Sequence, residues 1–296
     1  MTSTNDEMNL YRLNNLWKRI ADKIYIISLE ESEDRRDKMI KELDRVGIKD
    51  YSFYIVKKDN EDTKRGCFLS HKNIIMESCD SMFERILILE DDAYFIKSLS
   101  KLSCSLEEIV KWLDLNHYRT GFVDIFFLGH LPIHPLKPVG GCSTIRIVKT
   151  TGSRYTHCYL ITRSGMDKIS QMEYTGKHYD AYTSVLEGNY AIYPMISYQD
   201  DVASENDYNT IYRIFSDIRN KISCKRLCKI AEKICYFKGT RLISDCIEQM
   251  KTSNIWKKIS GISGISGENS NIIVDSDDDN DNEDNEDNKN NKYLYA

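Results

Sequence analysis

Three carboxylates in a row, Glu90, Asp91 and Asp92, close the stretch RILILEDD at residues 85–92. The residues before them, Ile86 to Leu89, are uninterruptedly apolar, as in a strand buried on both faces. Side chains alternate along a strand, so Glu90 and Asp92 are expected on one side and Asp91 on the other. Two carboxylates ~5 Å apart repel by about 3 kcal/mol at an effective dielectric of roughly 20. Protonation of one acid, a basic partner or a divalent cation offsets that repulsion. A hard cation beside an anionic ligand such as a diphosphate is one reading. A turn or helix cap begun by Asp91 and Asp92 is the other.

A second stretch with chemical potential is GCFLSH (66–71), which brings Ser70 and His71 to the element before the acids. Alone, such a histidine is more often a satisfied structural residue than a ligand. Further on, Asp180 stands near the start of YDAYTSVLEG, where it reads as a helix N-terminal acid.

The elements that must position these groups are legible. Met8, Leu10, Leu13, Leu16, Trp17 and Ile20 have the spacing of an amphipathic helix over 7–22. KIYIISL (23–29) reads as a buried strand. A helix follows Ser32 as N-cap, with Met39, Ile40, Leu43 and Val46 as its buried stripe and Gly47 as its stop. YSFYIV (51–56) is a strand, 66–79 a helix and RILILE (85–90) a strand again. That alternation predicts an α/β fold with a largely parallel sheet, whose ligands gather at the carboxyl ends of the strands. Beyond it, 105–113, 163–172 and 179–188 are expected as helices, and 122–129, 155–162 and 190–199 as strands, the last stopping near Pro194. HLPIHPLKPVGG (130–141) holds three of the four prolines and is expected as loop. Residues 1–210 form the expected main domain and 211–259 a C-terminal helical segment. Residues 260–296 are expected as a glycine-punctuated linker and an acidic disordered tail.

Composition narrows the class. The net charge of −5 is concentrated at one end. Residues 275–296 hold nine Asp/Glu and two Lys, which leaves 37 acidic and 39 basic residues elsewhere. The remainder is near neutral, with no basic run of the kind nucleic acid requires. The nine cysteines form no CxxC pair. Cys224 and Cys228 lack partners for a zinc site, so buried reduced thiols are expected. No secretory leader and no membrane span is legible, so a soluble intracellular setting is expected, in the cytoplasm or, for a viral protein, the host cell or virion.

Taken together, YIISLEESEDRR, GCFLSHKNII, LILEDD, THCYLITRSGMDKI and HYDAYTSV…AIYPMISYQDDVAS resemble, in order, the motifs of glycosyltransferase family 25. That family includes lipooligosaccharide and collagen galactosyltransferases, with relatives in giant DNA viruses. The resemblance spans roughly residues 23–205. It implies a GT-A type nucleotide-sugar-binding fold and inverting transfer of a hexose, galactose or glucose, from a UDP-sugar to a hydroxyl of a glycan or glycoprotein, with Mn2+ or another divalent cation. It implies Glu90 and Asp92 as metal ligands and Asp91 as a ribose or loop contact. Ser28, Leu29, Ser70 and His71 would line the donor pocket. Arg36, or Arg35 if the register shifts by one, would meet the diphosphate. Asp180 would be the base, with Tyr159 and Gln199 as pocket residues. Ser28 stands where the family has Asn, and VKKDN after the second strand lacks the family's Gly. A non-catalytic binding or scaffolding protein of the same fold is the alternative. A phosphate-accepting receiver domain fits poorly, because its acids would follow the first strand.

Overall fold

Apolar runs alternate with amphipathic segments through the first half of the chain, and each becomes the expected element. The computed structural model describes residues 4–116, 122–200, 225, 228, 229, 231, 232 and 236. The elements are α1 (Thr4–Ile20), β1 (Lys23–Leu29), α2 (Glu33–Arg45), β2 (Ser52–Val56), α3 (Thr63–Asp80), β3 (Arg85–Glu90), β4 (Ala93–Phe95) and α4 (Leu99–Asn116). They continue with β5 (Ile125–Leu131), β6 (Lys137–Gly141), β7 (Arg146–Lys149), β8 (Arg154–Thr162), α5 (Arg163–Ser170), α6 (Tyr179–Thr183), β9 (Asn189–Tyr193) and β10 (Ser197–Gln199).

The main sheet has the order β2-β1-β3-β8-β5-β9-β7-β6. β1 lies parallel to β2 and β3, joined through the crossover helices α2 and α3. β5, β9 and β6 run the same way, and only β8 and β7 are reversed. The sheet is therefore mixed, but largely parallel in strand direction. β4 and β10 pair separately as a small antiparallel ribbon.

Both faces of the sheet are covered. Ile24, Ile26, Leu87, Leu89, Phe126, Leu128 and Leu160 share one core with Leu13 and Trp17 of α1, Met39 and Leu43 of α2, and Leu106 and Ile109 of α4. Residues one position along, such as Ile88, Phe127, Tyr159 and Ile161, are equally buried and face the layer of α3, α5 and α6. Each fully buried aliphatic side chain contributes about 1.5–3 kcal/mol. This layering forces every polar group in β3 to an end of the strand.

Local chemistry sets the boundaries. Gly47 stops α2 with φ +75, and a Cβ there would stand 2.9 Å from the Leu10 carbonyl. Ser32 precedes α2 but makes no side-chain cap bond. α3 starts at Thr63, ahead of the expected 66, because the Asp62 carboxylate accepts from the Lys64 and Arg65 amides at 3.0 and 3.2 Å.

Several expectations are corrected. Met8 and Ile40, placed in buried stripes by spacing, are exposed. β5 runs on to Leu131 and β6 occupies 137–141, so the proline-rich loop is shorter than expected. β4 and β7 are too short for periodicity to reveal. The expected helix 179–188 ends at Thr183. The strand expected to stop near Pro194 does so, as β9 ends at Tyr193 before a cis Tyr193–Pro194 bond, and the short β10 follows it. Of the six free cysteines among the described residues, only Cys158 and Cys228 are buried, and Cys104 is exposed. No described helix is long and apolar enough to cross a membrane. The 210 and 259 boundaries, the linker and the acidic tail lie outside the described residues. Within 211–259 only the helical positions at 225–236 named above are described.

Candidate active site

β3 delivers its acids to its own carboxyl end, beside the end of β1, but not with the side-to-side alternation expected. The strand ends at Glu90, and Asp91 and Asp92 form a turn before β4. The Asp91 amide donates to the Ile27 carbonyl at 3.1 Å, which fixes that turn against β1. Glu90 points to the α3 layer, where His71 Nε2 stands 3.7 Å from its Oε1. Asp91 and Asp92 instead converge on α2. Arg35 Nη2 lies 2.5 Å from Asp91 Oδ1 and 2.9 Å from Asp92 Oδ2. The expected pairing of Glu90 with Asp92 on one side is thus corrected, because alternation stops where the strand does.

Gln199 Nε2 donates to Asp92 Oδ2 at 2.9 Å, and the Asp200 amide to the Asp92 carbonyl at 2.9 Å. β10 therefore helps to hold the acidic turn. The Asp91 and Asp92 side chains are only 6% and 8% exposed, whereas that of Glu90 is 28% exposed. Asp91 Oδ2, Asp92 Oδ1 and Arg35 Nε are buried with no hydrogen-bond partner. Burial, followed by the negative charge of Glu90, pushes the Asp92 carboxyl up to about 7 against the pull of Arg35. Burial also raises Asp91. For Glu90, burial is outweighed by His71, His157 and Arg35, so its carboxyl lies below the usual range.

The two arginines of α2 divide the work. Arg36 Nη1 donates to Ser28 Oγ at 3.1 Å and contacts the Leu29 carbonyl, and its Nη2 reaches the Glu30 carbonyl at 3.0 Å. Arg36 is committed to the end of β1, with Ser28 and Leu29. Arg35 is the one that meets the acids.

In α3, Ser70 turns its hydroxyl back to the Gly66 carbonyl of its own helix at 2.7 Å. Tyr159, expected to line a pocket, is instead fully buried in β8 and bonds to His71 Nδ1 at 2.9 Å. Asp180 of α6 is buried and pairs with Arg154 Nη1 at 3.1 Å. Burial raises its carboxyl, with Arg154 opposing and the charge of Glu90 adding to the rise. Desolvation, followed by the negative charges of Glu90 and Asp180, pushes the half-buried Cys67 thiol up. Glu90, Cys67 and Asp180 thus share one electrostatic neighbourhood.

Residue types and spacing alone do not reveal Arg154, Tyr179, His157 or Gly129. Arg154 opens a strand of ordinary composition. Its neighbour Tyr155 holds φ +62, a left-handed conformation that costs a non-glycine residue about 1–2 kcal/mol. Tyr179 carries one usable signal, its position next to Asp180. Gly129 sits at a bulge in β5, where a Cβ would stand 2.1 Å from the Ser197 carbonyl and 2.4 Å from His157 Nε2.

Among the described residues no group of three or more His, Cys, Asp or Glu is gathered to hold a metal ion. The unpartnered Asp91 Oδ2 and Asp92 Oδ1, with Glu90 beside them, suit a different kind of site. A hard cation bound there would take one or two carboxylates and complete its shell with a ligand's phosphates and water.

Residues 61–183 match the model of glycosyltransferase family 25 (LPS biosynthesis protein). That region contains GCFLSH, LILEDD, Tyr159 and Asp180. In a comparison with curated proteins, none matches. Among solved structures the chain is similar to A197 from STIV, at 11% identity and TM-score 0.38, over 63% of this chain and 95% of that one. It is similar to a glycosyltransferase involved in glycosylation of the major capsid of PBCV-1, at 12% identity and TM-score 0.29, over 50% and 63%. It is also similar to HddC from Yersinia pseudotuberculosis, at 13% identity and TM-score 0.30, over 62% and 74%.

Proposed function

We propose that this chain, whose residues 61–183 match glycosyltransferase family 25, is a glycosyltransferase that moves a hexose from a UDP-sugar to a hydroxyl of a glycan or glycoprotein. The reading includes inversion at the anomeric carbon and dependence on a divalent cation such as Mn2+. The observation that carries it is the acidic turn at the end of β3, which lies inside the matched region and holds buried carboxylate oxygens with no hydrogen-bond partner. Galactose and glucose are the donors that the motif resemblance favours.

Asp92 and Glu90 would hold the cation, whose chemistry is to neutralise charge on the departing nucleoside diphosphate. The chain's own groups do the rest. Arg35 keeps Asp91 and Asp92 together, and its cationic fork is suited to a diphosphate oxygen. Arg36 fixes the backbone at the end of β1, where the nucleotide would lie. Asp180 accepts the proton of the acceptor hydroxyl. Its burial strengthens it as a base, and Arg154 orients it and holds it ionised.

One observation favours the rival reading of a non-catalytic binding protein. Arg35 already offsets much of the repulsion between Asp91 and Asp92 without any cation. A panel of nucleotide sugars separates the two, read by donor hydrolysis and thermal shift with and without Mn2+. Mn2+-dependent stabilisation and slow hydrolysis of one UDP-sugar, both lost in Asp92→Ala, is the expected result. Silence across the panel would leave the binding protein.

A further inference from the structure

We propose that Tyr179 and Tyr159 form a hydrogen-bonded relay that fixes the tautomer of His71, so that its Nε2–H faces Glu90 and positions that carboxylate. The relay runs through three elements. The Tyr179 hydroxyl in α6 stands 2.9 Å from the Tyr159 hydroxyl in β8, which stands 2.9 Å from His71 Nδ1 in α3. On the far side of the ring, Nε2 approaches Glu90 Oε1 at 3.7 Å, an ion-pair distance longer than a closed hydrogen bond. The Tyr179 ring also stacks on the imidazole, with centroids 4.0 Å apart and planes within 4°. All three residues are at most 1% exposed, so water does not compete for these bonds.

The direction of the relay follows from proton accounting. A neutral imidazole has one N–H and one lone pair. If Tyr179 donates to Tyr159 and Tyr159 to Nδ1, the N–H is on Nε2 and its dipole points at the Glu90 carboxylate. If the bonds run the other way, Nδ1 donates and the Nε2 lone pair faces that carboxylate, which a desolvated site penalises. The first arrangement is the favourable one. It orients Glu90, whose side chain is 28% exposed, from the α3 side. It also ties α6, whose next residue is Asp180, to the same imidazole. Tyr159 and Tyr179 are positioning residues, since both are buried and act through His71.

The consequence for turnover rests on the glycosyltransferase reading, but the tautomer does not. The test is the ring 15N signature of His71 in the full chain without donor, assigned by comparison with His71→Gln. Wild type is expected to show a protonated Nε2 and an unprotonated Nδ1. Tyr159→Phe, which keeps the ring and the packing, is expected to show both tautomers. Tyr179→Phe is expected to fall between them. If transfer is detected, Tyr159→Phe should lower kcat about tenfold with donor KM changed by less than about threefold. An Nδ1–H or doubly protonated ring in wild type would overturn the relay, even if Tyr159→Phe fails to fold. So would an unchanged tautomer in Tyr159→Phe. A merely structural pair of tyrosines would lower the melting temperature and leave the nitrogen signature alone. Failure to find any donor would count against the enzyme reading and leave the nitrogen result standing.

Discussion

Arg35 is the residue on which the acidic turn depends. It bridges two carboxylates that are both under a tenth exposed, and no other cation pairs with them among the described ion pairs. Removing one partner from a buried charge cluster leaves the other charges uncompensated. Arg35→Ala is therefore expected to lose about 3 kcal/mol in urea unfolding near pH 7.5. Mn2+ should restore more stability to this variant than to wild type, because a cation then takes the place of the guanidinium. Equal Mn2+ effects in the two proteins would count against a cation at Asp92. Arg35→Lys should recover little, since an ammonium cannot present a planar fork to two carboxylates. Asp124 makes a contrasting case at the other end of β5. It is fully buried and accepts from Lys168 Nζ at 2.7 and 2.8 Å, Ser164 Oγ at 2.7 Å and the Gly188 amide at 3.0 Å. Asp124→Ala should cost about 3 kcal/mol, discounted for the half-exposed lysine, and should spare donor affinity measured on the surviving folded protein.

Between elements, the decisive contact is the passage of the segment before β10 over β5. The Ile196 amide donates to the Leu128 carbonyl at 2.9 Å, and the Ile96 amide to the Ile196 carbonyl at 3.0 Å. This bridge carries Gln199 to Asp92. It is possible only because Gly129 has no side chain. Gly129→Ala must push β10 away, at a cost of about 1–3 kcal/mol. It should also weaken donor binding more than Asp124→Ala does, since it loosens Gln199 from the acidic turn. Calorimetric binding of the best donor to both variants decides this, and equal affinities would show that β10 has no part in the site. The bulges of β5 against β8 have the same origin, because they make room for His157 and aim Arg154 at α6.

Across the whole molecule, acid stability is set by buried histidines and the acidic turn acting in opposite directions. Burial lowers His130 to about 3 and His157 to about 4. An unfolded histidine titrates near ~6.5, so between those values the unfolded chain binds protons that the folded one does not. Stability from these groups is complete above about 6.5 and declines as pH falls, by about 2 kcal/mol per histidine at a pH near 4.5. Asp92, pushed up to about 7, has the reverse sign, because the folded state binds its proton more tightly. The discriminating measurement is the difference between wild type and His130→Gln in urea midpoints at about pH 7 and pH 4.5. The variant should lose less on acidification, and parallel losses would mean that His130 does not titrate as its burial requires.

The strand and helix order through Glu90 was legible because strong apolar periodicity and local stop signals act over a few residues, as at Gly47 and in RILILE. The acids at the end of β3 were legible for the same reason. A charge run after a buried strand has only the strand end in which to sit. What the sequence could not decide was direction in space. Glu90 turns to His71 while Asp91 and Asp92 turn to Arg35, because a tight turn replaces the strand's alternation after residue 90. The pairing of Arg154 with Asp180 and the Tyr179–Tyr159–His71 contacts join residues 20 to 88 positions apart. Such contacts arise only when three elements pack at one strand end, and tertiary structure alone supplies that geometry.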